Sequence, residues 1–196
     1  MGDARGFTLV ELLVSLLISA MFAVGVQQFA RSMLRGVRVL EAAAEAQEAA
    51  RLGAQLIAGD LRDAGFSPAG GLGNGLRRAA IDAVAMARDL NGDGDSDDAN
   101  EAVAYHWAAD RGALMRAPGG APPQPLLGDV PEGGLRLTYV GADGAPLAAG
   151  GELDAAQRAR VRQVMVRLVV EVPHPDPAFT TPLRAAQQLT VALRNG

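Results

Sequence analysis

The chain has 196 residues and a formal net charge of −4, with 22 acidic side chains against 18 basic ones, all of the latter arginine. The arginines are scattered and form no basic block of the kind that grips a phosphate backbone, so nucleic-acid binding is not expected. Cysteine is absent, which excludes a disulfide framework, thiol catalysis and a thiolate metal site.

A short lead-in, Met1-Gly2-Asp3-Ala4-Arg5-Gly6, precedes an apolar run from Phe7 to Ala30 in which Glu11 is the single formal charge. As a helix rising ~1.5 Å per residue, this run reaches roughly 36 Å, enough to cross a hydrocarbon core about 30 Å thick. A carboxylate carried unpaired to mid-bilayer costs roughly 2.5–3.5 kcal/mol, so an acid inside such a run is expected to have a function and a partner. A secretory signal would place small residues for cleavage at the far end of the run. Here that end reads Gln27-Gln28-Phe29-Ala30-Arg31, and the glycine stands before the run instead.

The stretch Gly6-Phe7-Thr8-Leu9-Val10-Glu11 resembles the type IV prepilin (class III) signal: Gly, an aromatic or Met, Thr or Ser, Leu, a variable apolar residue, then Glu. The resemblance implies that prepilin peptidase cuts between Gly6 and Phe7 on the cytoplasmic face and N-methylates Phe7. It also implies that Glu11 meets the positive N-terminal amine of a neighbouring subunit in a filament, so that a charge expensive alone becomes paired. An ordinary single-pass anchor with an incidental acid is the alternative. Arginine placement pulls against the prepilin topology. Arg5 is offset by Asp3, whereas Arg31, Arg35 and Arg38 follow the run, and the positive-inside rule alone would leave the C-terminal part in the cytoplasm. The motif demands the reverse, leader inside and body in the periplasm, and is the stronger of the two signals.

Beyond the run, nothing breaks the helix before residue 64: proline is absent and glycine occurs only at positions 36, 53 and 59. Val39, Ala43, Ala46, Ala50, Gly53, Ile57, Leu61 and Ala64 make a 3.6-residue stripe that needs a partner surface, with Glu41, Glu45 and Glu48 on the opposite face. The expectation is one continuous helix over residues 7–64, its first half bare and its second packed on the protein's own sheet. Gly65 and Pro68 end it. The closing segment Asp60-Leu61-Arg62-Asp63-Ala64-Gly65-Phe66 is similar to that of the PilW-type minor pilins and the related J-type minor pseudopilins of type II secretion. Residues 70–75 are glycine-rich but lack the Lys-Ser/Thr of a phosphate cradle.

Residues 81–86 alternate weakly and suggest a short strand. Six carboxylates then fall within residues 89–101. Asp89, Asn91 and Asp93 followed by Gly94 reproduce the first half of a calcium loop, in which alternate oxygen side chains converge and glycine permits the sharp turn. Asp95 would supply a backbone carbonyl and Asp97 a direct or water-mediated ligand. The second half departs from the EF-hand pattern, with Asn100 at the twelfth position and Glu101 one place late. The site expected here is a structural Ca²⁺ site. A solvated turn between two strands is the other reading the same residues allow.

The remainder reads as β-structure, with a core built largely from Ala, Val and Leu because aromatics are few. Residues 102–107 and 113–116 form a hairpin across Asp110-Arg111-Gly112, and a Pro-rich connection over 118–125 leads to Leu126-Leu127. Residues 135–140 are an alternating strand, 152–160 a short helix, 161–172 the strongest strand and 189–193 the last. This order again looks like the PilW and J-type pseudopilin domain. The expected fold is α+β and pilin-like: a leader (1–6), an apolar assembly helix (7–30), its amphipathic continuation (31–65), and an antiparallel β-rich body (66–196) carrying the acidic loop.

His106 falls on a strand and His174 between two prolines. No nucleophile elbow, zinc-ligand spacing or phosphate loop occurs, so no enzyme is expected. The resemblance implies a structural minor pilin of a type IV pilus, PilW-like. Its partners would be prepilin peptidase, other pilins, an inner-membrane assembly platform and membrane lipid. Two alternatives stay open: a J-type minor pseudopilin of a type II secretion system, and a membrane-anchored periplasmic domain with calcium-dependent binding or adhesion.

Overall fold

The computed structural model describes residues 8–96, 98, 100–119, 121–147 and 151–194. One helix, α1 (Leu9–Asp63), runs for 55 residues and therefore spans roughly 80 Å. Thr8 caps its start and Ala64 its end, and Gly65 follows with φ +73°. Every residue from 8 through 38 is exposed, including the whole described part of the apolar run. Within that run the serine hydroxyls bond back into their own helix: Ser15 donates to the Leu12 carbonyl (2.9 Å) and Ser19 to that of Ser15 (2.8 Å). They present no unsatisfied donor to lipid.

The body begins where the apolar run ends. Near that point Asp176 of the body pairs with Arg35 of the helix at 4.0 Å. From there two antiparallel meanders pack around the C-terminal half of α1. The first holds β1 (Leu76–Ala79), β2 (Ala83–Ala87), β3 (Ala102–Ala108), β4 (Ala113–Pro118) and β5 (Gln124–Leu127), adjacent in chain order. The second holds β6 (Leu135–Val140), β7 (Gln163–Val172) and β8 (Leu183–Ala192), with the short helix α2 (Ala155–Ala159) between β6 and β7. Leu137 of β6 donates its N–H to the Ile81 carbonyl (2.7 Å), and the Tyr139 hydroxyl donates to the carbonyl of Ala80 (3.0 Å). These bonds seam the two sheets together beside β2.

The α1 stripe predicted from periodicity is the face that packs. Ala46, Ala50, Ala54 and Ala58 recur every fourth residue and are at most 1% exposed. Their small side chains let the helix approach β7 and β8 closely. Gly53 sits at the tightest point: a Cβ there would fall 2.7 Å from Leu168 Cδ2 of β7 and 3.4 Å from Leu127 Cδ2 of β5. The glycine at 53, unremarkable as a helix residue, is therefore explained by the contact. Ile57 and Leu61 are fully buried, each stabilising the fold by about 1.5–3 kcal/mol. From the sheet side, Val164, Val166 and Leu168 of β7 are also fully buried.

Polar groups tie the helix end to the first sheet. The Tyr105 hydroxyl donates to Asp60 Oδ2 (2.5 Å) and accepts from Arg116 Nε (2.9 Å), while Arg116 Nη2 reaches the same Asp60 oxygen at 3.3 Å. Arg88 completes the cluster, 3.6 Å from Asp60 and 3.5 Å from Asp63. Burial and the adjacent Asp60 carboxylate push the Tyr105 hydroxyl well above its ordinary range. Burial and the charge of Glu152 do the same to Tyr139. A folded-state pKa raised this way gives stability that is present below about pH 10, the unfolded tyrosine value, and lost as pH climbs through the folded one. These are the only two tyrosines in the chain. Absorbance of tyrosinate near 295 nm should stay absent at about pH 10.5 and then rise together with unfolding. Ionisation of either ring near pH 10 with the fold intact would contradict the burial.

Several expectations shift in detail. The strand expected over 81–86 starts at Ala83, because Ile81 turns its carbonyl to β6. The last strand begins at Leu183, six positions before the expected Leu189, and pairs with β7 over its full length from Leu183 opposite Val172 to Ala192 opposite Gln163. Strand β1 was not expected at all.

Candidate functional site

Two places carry the chemistry singled out in the sequence. The first is the start of α1. Gly6 and Phe7 lie outside the described residues. Thr8 has extended backbone (φ −81°, ψ 151°), its hydroxyl accepts the Glu11 N–H at 3.3 Å, and its carbonyl accepts from Leu12 (3.1 Å). Thr-x-x-Glu is a capping-box spacing, a local signal of helix start that the sequence reading did not use. The motif's threonine thereby gains a physical role, because the cap fixes where the helix begins and so where Glu11 sits, in the first turn. A carboxylate there is favoured by the unpaired N–H groups and dipole of the helix start. Glu11 is exposed, and its carboxylate has no hydrogen-bond or ion-pair partner among the described residues. Around it Leu9, Val10, Leu12 and Leu13 are all more than half exposed. A long apolar surface bearing one free acid requires either lipid or other helices against it.

The second place is the acidic loop between β2 and β3, built against the end of α1. Asp89 donates its N–H to the Phe66 carbonyl (2.7 Å), and Arg88 donates its N–H to the Glu101 carbonyl (2.8 Å). The Asp89 side chain is fully buried and accepts from Ser67 Oγ (2.8 Å), Gly92 N (2.6 Å) and Gly94 N (3.1 Å). Burial by itself would raise its pKa, but the donors outweigh it and hold the carboxyl below the ordinary value. Asn91 Oδ1 accepts from Asp93 N (2.9 Å) and Asp93 Oδ1 from Asp95 N (3.1 Å). The loop thus has the stepwise side-chain-to-backbone bonding expected from its alternating oxygens. Asp97 lies outside the described residues. Among the described residues no three acidic or imidazole groups are gathered in a coordination shell.

The histidines are held apart. His106 lies on β3 opposite Met115 of β4, whereas His174 follows β7 in the other sheet, its ring 4.7 Å from that of Phe179 and its Nδ1 accepting from Asp176 N. Asp60 and Arg116 are the charged residues that the sequence reading missed as a cluster. Asp60 entered it only as part of the helix-closing segment, and the structure shows why an acid stands there: it receives Tyr105 from β3 and Arg116 from β4.

Comparison with known proteins bears on both ends of the molecule. A family model described as the prokaryotic N-terminal methylation motif matches residues 1–26. Among solved structures, a type IV-like pilin from Thermus thermophilus shares the fold with a TM-score of 0.50 and 15% identity, over 76% of this chain and 95% of that one. The N-terminal segment thus carries a prepilin-type methylation motif, and the fold is similar to that of a type IV-like pilin. A search of curated proteins gives no significant match. The chain has the expected α+β architecture, a long N-terminal helix on antiparallel sheets. The motif and the apolar first half of α1, long enough to cross a membrane, fit a membrane-anchored chain.

Proposed function

We propose that this chain is a structural subunit of a type IV pilus, a PilW-like minor pilin that takes part in assembly or priming. The observation that carries this reading is the bare half of α1: an exposed apolar rod with one unpartnered acid in its first turn, on a body that grips only the C-terminal half of the helix. Prepilin peptidase would cut between Gly6 and Phe7 and methylate Phe7. The mature chain then waits in the inner membrane with its body in the periplasm, until the assembly platform draws it into a bundle of neighbouring helices. Glu11 there pairs with a neighbour's N-terminal amine.

Leaving one member of a desolvated ion pair alone costs about 3–5 kcal/mol. Glu11→Ala should therefore mature normally yet fall at least roughly tenfold in the sheared filament or tip-complex fraction. Incorporation at the wild-type level would remove the proposed role of the acid. Crosslinking of the wild type should recover type IV pilins; recovery of type II secretion pseudopilins instead would reassign the same chemistry to protein export.

A further inference from the structure

We propose that the loop between β2 and β3 is a structural Ca²⁺ site, and that Glu101 closes it although it stands one position past the place an EF-hand would use. The motif alone would not carry this; the state of Glu101 does. Its side chain is 3% exposed. One carboxylate oxygen, Oε1, accepts the N–H groups of Leu90 (2.7 Å) and Asn91 (3.4 Å), which ties the carboxylate to the start of the loop. The other, Oε2, is buried and has no hydrogen-bond partner among the described residues.

A buried carboxylate oxygen without a donor is costly, and such groups call for an ion or another unseen partner. Asp89, Asn91 and Asp93 stand on the same short turn at alternate positions, the oxygen spacing a calcium loop uses, although in this structure the carboxylates of Asp89, Asp93 and Glu101 are not drawn into one shell and must turn inward to bind. The basic side chains beside the loop bond its Ser96 hydroxyl and Asn100 carbonyl and the acids at the end of α1 rather than the Glu101 carboxylate. Arg77 donates to Ser96 Oγ (2.5 Å), and Arg88 donates to the Asn100 carbonyl (3.3 Å) while facing Asp60 and Asp63. All the donors on offer are hard oxygens, and Ca²⁺ accepts six to eight of them in a flexible shell, whereas Mg²⁺ demands a tight octahedron and keeps its water.

Binding has a local cost that can be named. Asn91 Nδ2 now bridges Asp93 Oδ2 (2.9 Å) and Asp98 Oδ2 (2.8 Å), and those bonds give way when the oxygens turn to the ion. The gain is structural. The loop is bonded to the end of α1 through Phe66 and Ser67, so an ion that fixes the loop also fixes the corner where the helix enters the sheets. This holds whichever filament the chain joins.

The test uses the full-length protein in detergent micelles, stripped of metal with a chelator. Calcium chloride is added in a calorimetric titration and in thermal melts, with magnesium chloride as the control. One saturable Ca²⁺ site is expected, in the range of about 10⁻⁴–10⁻³ M typical of extracellular modules, with the melting midpoint rising as the site fills. Asp93 is exposed, so Asp93→Asn should fold normally and bind Ca²⁺ at least roughly tenfold more weakly. Glu101→Gln, which keeps the shape and loses the charge, should weaken binding to a similar degree. Absence of saturable Ca²⁺ binding, an equal effect of Mg²⁺, or wild-type affinity in both variants would overturn the proposal.

Discussion

Gly6→Ala is expected to leave the unprocessed chain as the dominant species on an immunoblot, with the mature form reduced by more than about tenfold. The expectation rests on what glycine supplies before a scissile bond: a backbone with no Cβ, open to close approach by another protein and free to take conformations other residues avoid. Phe7 would remain as the new N-terminus only if that approach succeeded. The same substitution should leave the body untouched, since the helix, its Thr8 cap and both sheets lie downstream. A precursor that folds and inserts but never shortens is therefore the predicted phenotype. Normal maturation of the variant would contradict the assignment of the cleavage site.

The second large effect is expected inside the body, at the corner where α1 meets β1 and β2. Gly65 and Gly75 both have positive φ, +73° and +70°, and their backbones pass in direct contact. A Cβ on Gly75 would enter the backbone nitrogen of Gly65 and the carbonyl oxygen of Ala87; a Cβ on Gly65 would enter the carbonyl oxygen of Gly73. The same atoms are hydrogen-bonded: Gly65 N donates to Ala87 O and Ala87 N to Gly75 O, each at 2.8 Å. Backbone cannot yield as a flexible side chain can. Gly75→Ala should cost about 4 kcal/mol, combining left-handed strain with an overlap that has no outlet. Gly73→Ala is the matched control, since its φ is +61° but nothing lies within 4 Å of the added atom; strain alone predicts about 1–2 kcal/mol. Chemical denaturation of the two variants separates the cases, and equal losses would show that the close backbone approach is not what holds the corner.

How much of this was legible in the chain depends on how local its cause is. The long helix was readable end to end because its stripe, its lack of proline and its Gly65-Pro68 stop are all local. The β3–β4 hairpin, β6 and β7 were readable for the same reason, each a run of alternating or β-branched residues. Strand β1 was not. Its four residues, Leu-Arg-Arg-Ala, give no period, and the pairing with β2 is irregular between Leu76 and Arg78. The first half of β8 was hidden as well. Arg184, Ala186 and Gln188 face outward there, and the inward positions include the small Ala185 and the polar Gln187, so the segment looks polar although α1 and β7 cover it.

The candidate sites divide in the same way. The prepilin motif is a fixed spacing and was readable from six adjacent residues, while the capping role of Thr8 was readable in principle from Thr-x-x-Glu. The Asp60–Tyr105–Arg116 cluster joins Asp60 to residues 45 and 56 positions further on, and no local pattern announces it. The acidic loop lies between these cases. Its alternating oxygens are local, but the burial of Glu101 and the anchoring of Asp89 by Phe66 and Ser67 come from the tertiary fold.

In the working protein the apolar rod is expected to begin at a trimmed and modified phenylalanine. Intact-mass and N-terminal peptide mass spectrometry of the protein recovered from native membranes answers this directly. The predicted result is a chain that starts at Phe7 with an N-methyl group. A chain that still begins at Met1 or Gly2 would contradict the processing on which the pairing of Glu11 depends.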